Sequence, residues 1–260
     1  MKKIVVIYIV ICCFVLVGAA LLNGVVKSEK RFLLGTIVEI TARAPFWHNF
    51  NRTFSRVFAE VERVELVANR YNSHSEVSEV NLSASEYPFS VSDDLLYLIQ
   101  SSLDISEKTL GTFDITIAPL VSLWKEARSK NLIPSSSDIE KIKKTVGFDK
   151  IVLNKQAQTV FFKNKNIEID LSAIAKGYAV DRAVSVLQKF GIRSALVNAG
   201  GEIYCLGKRN LLMRWRVGIA DPHKEKPHTK ILFLKNQAVA TSGGYEQYYT
   251  YEGKKCSHII

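Results

Sequence analysis

The residues best suited to chemistry lie at the start of a helix in the second half of the chain. Residues 167–181 predict a strand that runs into a helix, and the first turn of that helix holds Ser172, Lys176 and Gly177. The free N–H groups and partial positive charge of a helix N-terminus suit a phosphate, and a lysine adds a full charge. The spacing matches neither a P-loop nor a dinucleotide-binding glycine motif, so an ordinary capped helix is the alternative interpretation.

Four further positions could contact a ligand, and each also has a plain structural explanation. Asp114 could bind a polar group or cap the turn in which it lies. Gly200-Gly201 is typical of a tight turn between strands, and residues 241–243 could present N–H groups to an anion. His258 could be a general base or a core histidine. The chain contains no serine-hydrolase motif and no His/Cys pairs with zinc spacing.

The N-terminal segment determines the expected compartment. Residues 4–22 carry no charge, and this run is about as long as a bilayer span. Two lysines precede it, which predicts a membrane anchor with the folded part, from about Arg31, outside the cytoplasmic membrane. A cleaved signal peptide is the alternative, because residues 17–20 include small side chains. In that compartment Cys205 and Cys256 could pair, and the sequence leaves their pairing open.

Composition narrows the class of protein. The 260 residues suffice for one large domain or two small ones. With 47% hydrophobic and 23% charged residues, the chain is neither disordered, collagen-like nor a coiled coil. The net charge of +10 suits a phosphate-bearing ligand or an anionic membrane surface. Arginines are not clustered among aromatic residues, so a nucleic-acid partner is not predicted.

The elements that must position these residues predict an α+β fold. Hydrophobic periodicity and capping residues predict helices at 51–69, 92–108, from 119 onward, 138–146 and 174–190. Strands are predicted at 33–41, 150–153, 159–162, 166–170, 195–198, 202–206, 213–219, 230–234, 238–241, 245–251 and 255–260, and a loop at 70–85. Only one clear strand–helix–strand unit occurs. We therefore expect mixed, largely antiparallel sheets with packed helices, behind one N-terminal anchor helix.

Taken together and in this order, the motifs resemble the ApbE family of FAD:protein FMN transferases. The lysine-glycine-tyrosine helix and the serine-histidine strand are the most specific matches, and the resemblance covers nearly everything after residue 31. The matching segments are Leu34-Gly35-Thr36, Arg70-Tyr71-Asn72, 75–81, Gly111-Thr112-Phe113-Asp114, Asp170-Leu171-Ser172, 175–181, 198–202, 240–243 and 257–260.

The resemblance implies an activity and its partners. Members of the family move the FMN half of FAD onto a threonine or serine hydroxyl of a target protein and release AMP. The reaction uses a divalent metal, usually Mg²⁺. The targets include subunits of membrane redox pumps outside the cytoplasm, which agrees with the predicted anchor.

The resemblance also implies roles for individual residues. His258 would lie near the reacting hydroxyl and act as its base, and Ala173 would give a backbone carbonyl to the metal. The turn at Thr241, Ser242 and Gly243 would lie near the phosphates. The FAD site would be lined by Leu34, Tyr71, Thr112, Phe113, Asp114, Asp170 and Lys176.

The C-terminal end departs from the family pattern. After residues 257–260 the family continues with Asp-Pro, then Thr-Gly, and later a helix whose Asp and Thr hold the metal. We therefore expect a fragment: residues 1–30 an anchor and linker, and residues 31–260 a transferase domain whose C-terminal part is missing. One alternative is an extracytoplasmic module that binds FAD without catalysis. Another is an anchored domain with a structural or partner role.

Overall fold

A computed structural model describes residues 24–222, 225, 227–243, 248–251 and 254–257. The predicted anchor at residues 4–22 and the candidate base His258 lie outside the described residues. In the part of the chain that is described, no helix is both long and apolar enough to cross a bilayer.

The described chain contains six α-helices and twelve strands. The helices are α1 (Phe50–Ala68), α2 (Glu76–Ser83), α3 (Asp93–Lys108), α4 (Ala118–Ser129), α5 (Ser136–Lys143) and α6 (Ser172–Lys189). The strands are β1 (Val25–Leu33), β2 (Thr36–Ala44), β3 (Phe89–Ser90), β4 (Ile151–Asn154), β5 (Thr159–Phe162), β6 (Ser194–Ala199), β7 (Glu202–Leu206), β8 (Trp215–Ile219), β9 (Lys230–Leu234), β10 (Gln237–Val239), β11 (Tyr248–Tyr251) and β12 (Lys254–Ser257). Every described strand pair is antiparallel, which confirms the predicted α+β class.

The chain forms two compact units. The described residues up to Val61 belong to one unit with Val180–Ala240, and Glu62–Ala179 belong to the other with the described residues from Thr241 onward. Two of the three boundaries fall within α1 and α6, and the third follows β10.

The first unit is built on a five-stranded sheet in the order β1-β2-β6-β7-β10. Alternate residues of β2, namely Val38, Ile40 and Ala42, are fully buried, as expected for a sheet with one covered face. The predicted apolar face of α1 is confirmed, because Phe54, Val57, Phe58, Val61, Val64 and Ala68 are all buried. The pair β8-β9 packs against β7 through Trp215, Val217, Leu234 and Cys205, whose buried thiol is free.

The prediction of a continuous strand through Gly35 is wrong. Leu34 and Gly35 form a two-residue hairpin turn, with φ angles of 56° and 68°, and Leu33 pairs directly with Thr36. Positive φ at both turn positions matches the right-handed twist of the flanking strands. A β-hairpin therefore presents Leu34 at its tip.

The second unit packs helices α2 and α3 on the three-stranded sheet β3-β5-β4. Ser92 caps α3, as predicted, by accepting a hydrogen bond from the Leu95 amide. The predicted loop at 70–85 is wrong, because it contains α2, which Ser75 caps. Only Val77 and Val80, three residues apart, mark its apolar face, and both are fully buried.

The predicted strand at 166–170 is also not formed. The polar groups of the segment bond outside any strand ladder: Asn81 exchanges two side-chain hydrogen bonds with the backbone of Ile169, at 2.8 and 3.0 Å. The amide of Asp170 donates to the carbonyl of Ile115 at 2.7 Å. A side-chain amide thus replaces the neighbouring strand that the apolar pattern had predicted.

Candidate functional site

The centre of the candidate site is a buried ion pair in the second unit. Nε of Arg70 donates to Oδ2 of Asp170 at 2.7 Å, and the two side chains are 8% and 6% exposed. Arg70 lies two residues after the end of α1, and Asp170 lies two residues before the start of α6. The ion pair therefore joins two segments that the sequence separates by 100 residues.

Asp170 also starts helix α6. Its Oδ1 accepts a hydrogen bond from the amide of Ser172 at 2.8 Å. A carboxylate at this position satisfies an otherwise unpaired N–H group and complements the positive end of the helix. The alternative interpretation from the sequence, a capped helix, is thus what the structure shows locally, and both carboxylate oxygens of Asp170 accept from protein donors.

Tyr71 presents an exposed aromatic surface beside this ion pair. Its ring centre lies 4.6 Å from the guanidinium carbon of Arg70 and 4.2 Å from Nζ of Lys125 on α4. Arg70 also donates to the hydroxyl of Tyr71 at 3.2 Å and to that of Ser122 at 3.2 and 3.3 Å. Cations favour the face of an aromatic ring, so the cluster places Lys125 and the Asp170-paired Arg70 against an accessible flat surface.

Asp114 lies in a turn that is tied to the same region. Its Oδ1 accepts from the amide and hydroxyl of Thr116, at 2.8 and 2.7 Å, and its Oδ2 accepts from the amide of Phe148 at 2.9 Å. Because the next residue, Ile115, accepts from the amide of Asp170, the Asp114 turn and the start of α6 are adjacent. The Asp114 carboxylate therefore acts locally as a turn cap.

The other predicted residues of the second unit occupy varied positions. Lys176 is half-buried on α6, and Ala173 is exposed on its first turn. Thr112 is exposed, whereas Phe113 packs against the core of the unit. Of the turn that was predicted near the phosphates, Thr241 and Ser242 are exposed and Gly243 is half-buried.

Leu34 belongs to the first unit, where two of the sequence motifs meet. Gly200, in the Gly-Gly turn between β6 and β7, approaches Thr36 so closely that an added Cβ would lie 2.4 Å from the threonine Oγ1. Its amide also donates to the carbonyl of Ile37 at 3.2 Å. The hairpin tip at Leu34 and the Gly-Gly turn are therefore neighbours.

A second, half-buried network supports α6 from the side. The hydroxyl of Tyr178 donates to the carboxylate of Asp94, which also accepts from the guanidinium of Arg63. The ring of Tyr178 lies 5.3 Å from that of Tyr97. The tyrosine of the lysine-glycine-tyrosine motif thus holds the helix against α3.

Sequence reasoning missed the role of Arg70. Arg70 belongs to the Arg70-Tyr71-Asn72 motif, but the motif alone predicts no role for it. The sequence does offer one indication. An aspartate that is buried, as Asp170 is, requires a cation or several hydrogen-bond donors. The sequence alone contains many lysines and arginines that could have supplied that charge.

The described residues lack the convergent side-chain ligands of a typical metal site. Within the described ranges, no group of three or more His, Cys, Asp or Glu residues converges as metal ligands would. The carboxylates of Asp114 and Asp170 accept hydrogen bonds from the protein, and Ala173 offers only a backbone carbonyl. The described residues therefore do not by themselves fit a divalent metal.

Fold and site together define an α+β protein that places a cation-flanked aromatic residue beside an aspartate-capped helix. The sequence model of the ApbE family matches residues 34–260, so the chain belongs to the ApbE family. The resemblance inferred from the motifs is thereby confirmed.

Solved structures show the same fold. The ApbE protein of Thermotoga maritima is 30% identical with a TM-score of 0.83, over 91% of this chain and 76% of that one. The flavin transferase ApbE of Vibrio cholerae is 28% identical with a TM-score of 0.80, over the same shares of the two chains.

Curated relatives carry the name FAD:protein FMN transferase. One from Klebsiella pneumoniae is 31% identical over 79% of this chain, and one from Escherichia coli K12 is 30% identical over 79%. The aligned part of the chain spans 64% of the Klebsiella protein and 60% of the Escherichia protein.

Proposed function

We propose that this protein is an FAD:protein FMN transferase that moves the FMN moiety of FAD onto a threonine or serine hydroxyl of a target flavoprotein. The observation that carries the proposal is the family match over residues 34–260, together with relatives about 30% identical that bear this name. The cluster around Arg70 and Tyr71 supports it with chemistry suited to FAD.

FAD combines two flat ring systems with a doubly charged pyrophosphate, and the described site offers groups for both. The exposed Tyr71 ring can stack on a planar ligand, while Lys125 and Lys176 can neutralise phosphate charge. The N-terminus of α6 adds N–H groups that favour an anion. The remaining proposed contacts are Leu34, Thr112, Phe113, Asp114, Asp170, Thr241, Ser242 and Gly243.

The proposed reaction is a phosphoryl transfer. The hydroxyl oxygen of the acceptor forms a bond to the FMN phosphorus, and the bond from that phosphorus to the bridging oxygen of the pyrophosphate breaks. AMP leaves with the bridging oxygen, and the hydroxyl proton passes to a base, for which we propose His258. Positioning and charge neutralisation are the main requirements of such a reaction.

Mg²⁺ dependence is part of the proposal. A divalent metal would neutralise charge on the pyrophosphate oxygens. The proposed protein contact is the backbone carbonyl of Ala173. Since the described carboxylates do not converge on a metal site, we assign no step to the ion.

We also propose where the protein acts. The uncharged run at residues 4–22 would anchor the chain in the cytoplasmic membrane, with the transferase domain on the extracytoplasmic side. The acceptor would be a flavoprotein there, such as a subunit of a membrane redox pump. In that compartment a covalent bond would prevent loss of the flavin.

The test incubates the full chain, FAD and Mg²⁺ with a flavin-free subunit of a redox pump. We expect a fluorescent acceptor band on a denaturing gel, a mass increase equal to one FMN, and one AMP released per label. An acceptor whose target threonine is changed to valine is the matched control. FAD binding without transfer would instead support a catalytically inactive FAD-binding module, and lack of FAD affinity would overturn the proposal.

A further inference from the structure

Two loops leave the same end of the five-stranded sheet. The pairing of Val25 with Ala44, and of Arg43 with Ser194, aligns the start of β1, the end of β2 and the start of β6. Ala195 pairs with Leu206, so β7 also ends there. The chain therefore enters β1 at the same end of the sheet from which the loop after β2 and the loop after β7 emerge.

Both loops expose large apolar side chains at this end. Phe46 and Trp47 follow β2, with ring centres 4.9 Å apart, and both are mostly exposed. Leu211, Leu212 and Met213 follow β7 and are also exposed. We call these five residues the two-loop surface. The loops are tied together, because Nε of Arg43 donates to the carbonyl of Arg209 at 2.7 Å.

The chain segments that contain or adjoin the two-loop surface are basic. Segments 24–28, 42–56 and 207–216, which contain or flank the surface, hold eight lysine or arginine residues and no aspartate or glutamate. An apolar patch within a basic border has the chemistry of a surface that meets anionic lipid headgroups. Elsewhere on β1 the balance differs, since Glu29 and Glu39 pair with Arg31 and Lys30.

The position of the uncharged segment supports the same occupant. Two residues separate the end of the uncharged run at residue 22 from β1. An extended chain advances at most about 3.6 Å per residue, so Val25 can lie no more than about 11 Å from the end of this run. If residues 4–22 span a bilayer, this end of the sheet must lie at its surface.

We propose that the two-loop surface lies in the headgroup region of an anionic bilayer and holds the first unit in a defined orientation. Tryptophan is enriched at membrane interfaces, and phenylalanine is common on the apolar face of segments that lie in the interface, so Trp47 and Phe46 suit this position. The hairpin tip at Leu34 would then point away from the bilayer by about 26 Å, the length of a nine-residue strand at 3.3 Å per step. This inference rests on the anchor proposed above.

The experiment reconstitutes the full chain into vesicles of phosphatidylglycerol and phosphatidylethanolamine, with or without bromine on the acyl chains. The reporter is the part of the tryptophan emission that Trp47→Phe removes. We expect brominated lipid to quench this component, and to quench it less in a Leu211→Ser/Leu212→Ser variant. The matched control is Leu110→Ser in the second unit, because Leu110 and Leu212 are 93% and 90% exposed.

The possible outcomes distinguish failure of the proposed anchor from failure of the proposed contact between the two-loop surface and the bilayer. Release of the chain from the vesicles by alkaline carbonate would overturn both the anchor and this inference. With the chain retained, equal quenching of Trp47 by aqueous iodide in vesicles and in detergent would overturn only the inference. Shielding of Trp47 from both iodide and brominated lipid would instead indicate that residues 4–22 or a second copy covers the surface. The transferase assay is independent of all three results.

Discussion

The guanidinium of Arg70 holds the carboxylate of Asp170 at 2.7 Å, and both side chains are nearly inaccessible. The remaining oxygen of Asp170 caps α6 through the amide of Ser172. Asp170 was predicted from the family resemblance as an FAD contact. Its observed contacts give it a supporting role as well, because it positions both the start of α6 and the arginine beside Tyr71.

Removing Arg70 should therefore destabilise the protein strongly. Arg70→Met leaves an unpaired buried carboxylate, and we expect a loss of about 3–5 kcal/mol in the free energy of unfolding. The double variant Arg70→Met/Asp170→Asn should recover part of this loss, since asparagine removes the charge but keeps the cap. Urea unfolding of the full chain in detergent measures both.

The control for this prediction is an exposed ion pair in the same unit. Lys130 and Glu126 lie 2.6 Å apart on the surface, with side chains 59% and 63% exposed. Lys130→Met should change the free energy of unfolding by about 0.5 kcal/mol or less. Equal effects of Arg70→Met and Lys130→Met would contradict the structural role of the buried pair.

Tyr71 should contribute to FAD affinity without contributing much to stability. Its ring is 59% exposed, and stacking of a planar ligand on an aromatic side chain is worth about 1–3 kcal/mol. Tyr71→Ala should thus weaken FAD binding about five-fold or more, as measured by flavin fluorescence titration. Tyr87→Ala is the matched control, because Tyr87 is 54% exposed in the same unit. Similar FAD affinities of the two variants would remove Tyr71 from the proposed site.

Lys176, in the N-terminal part of α6, should contribute to FAD affinity through its positive charge. A hydrogen bond from a charged group to a phosphate is worth about 1.5–3 kcal/mol, so Lys176→Ala should weaken FAD binding by about ten-fold or more. Alanine is a strong helix former, so α6 should remain intact. The control is Lys189→Ala at the last turn of the same helix. A loss that is the same for riboflavin, which has no phosphate, would disprove the charge argument.

Local patterns were predictable from the sequence, whereas long-range pairings were not. The apolar face of α1 and the Ser92 cap of α3 depend on spacing within one segment, and both predictions are confirmed. The partner of Asp170 lies 100 residues away, and only the folded chain selects Arg70 from the other cations. The extended segment before α6 was predicted as a strand because its apolar pattern does not reveal that Asn81 satisfies its backbone.

In the Gly-Gly turn, the turn conformation explains the need for Gly200 only in part. A close contact with Thr36 constrains the same position. Gly200 has a φ of 63°, and an added Cβ would lie 2.4 Å from Oγ1 of Thr36. Gly191 has a φ of 78° but no atom within 4 Å of an added Cβ. Gly191→Ala should cost about 1–2 kcal/mol from left-handed backbone strain alone.

Gly200→Ala should cost about 1–3 kcal/mol more than Gly191→Ala, because overpacking adds to the strain. Thr36→Ala in the Gly200→Ala background should recover part of this difference, since it removes the two closest atoms, at 2.4 and 2.9 Å. Urea unfolding of the wild type, Gly200→Ala, Thr36→Ala and the double variant measures the coupling between Gly200 and Thr36. If the free-energy costs of Gly200→Ala and Thr36→Ala simply add in the double variant, the contact with Thr36 does not cause the extra cost of Gly200→Ala.

Cys205 should make stability depend on pH in the alkaline range. Burial raises the pKa of its thiol from 9.0 to about 11, because the apolar surroundings on β7 disfavour the thiolate. The unfolded chain then loses this proton at lower pH than the folded chain does. The stability that the protonated Cys205 thiol contributes to the folded chain is fully present below about pH 9 and is lost as the pH rises towards about 11.

Comparison with Cys205→Ala isolates this thiol from the tyrosines and lysines that titrate in the same range. The variant leaves a small cavity and is less stable at neutral pH. Its deficit relative to the wild type should shrink as the pH rises from about 8 to about 11, since only the wild type bears the cost of a buried thiolate. Urea unfolding under reducing conditions at the two pH values measures the deficit. A deficit that stays constant would mean that the Cys205 thiol ionises equally easily in the folded and unfolded chains, against the burial observed on β7.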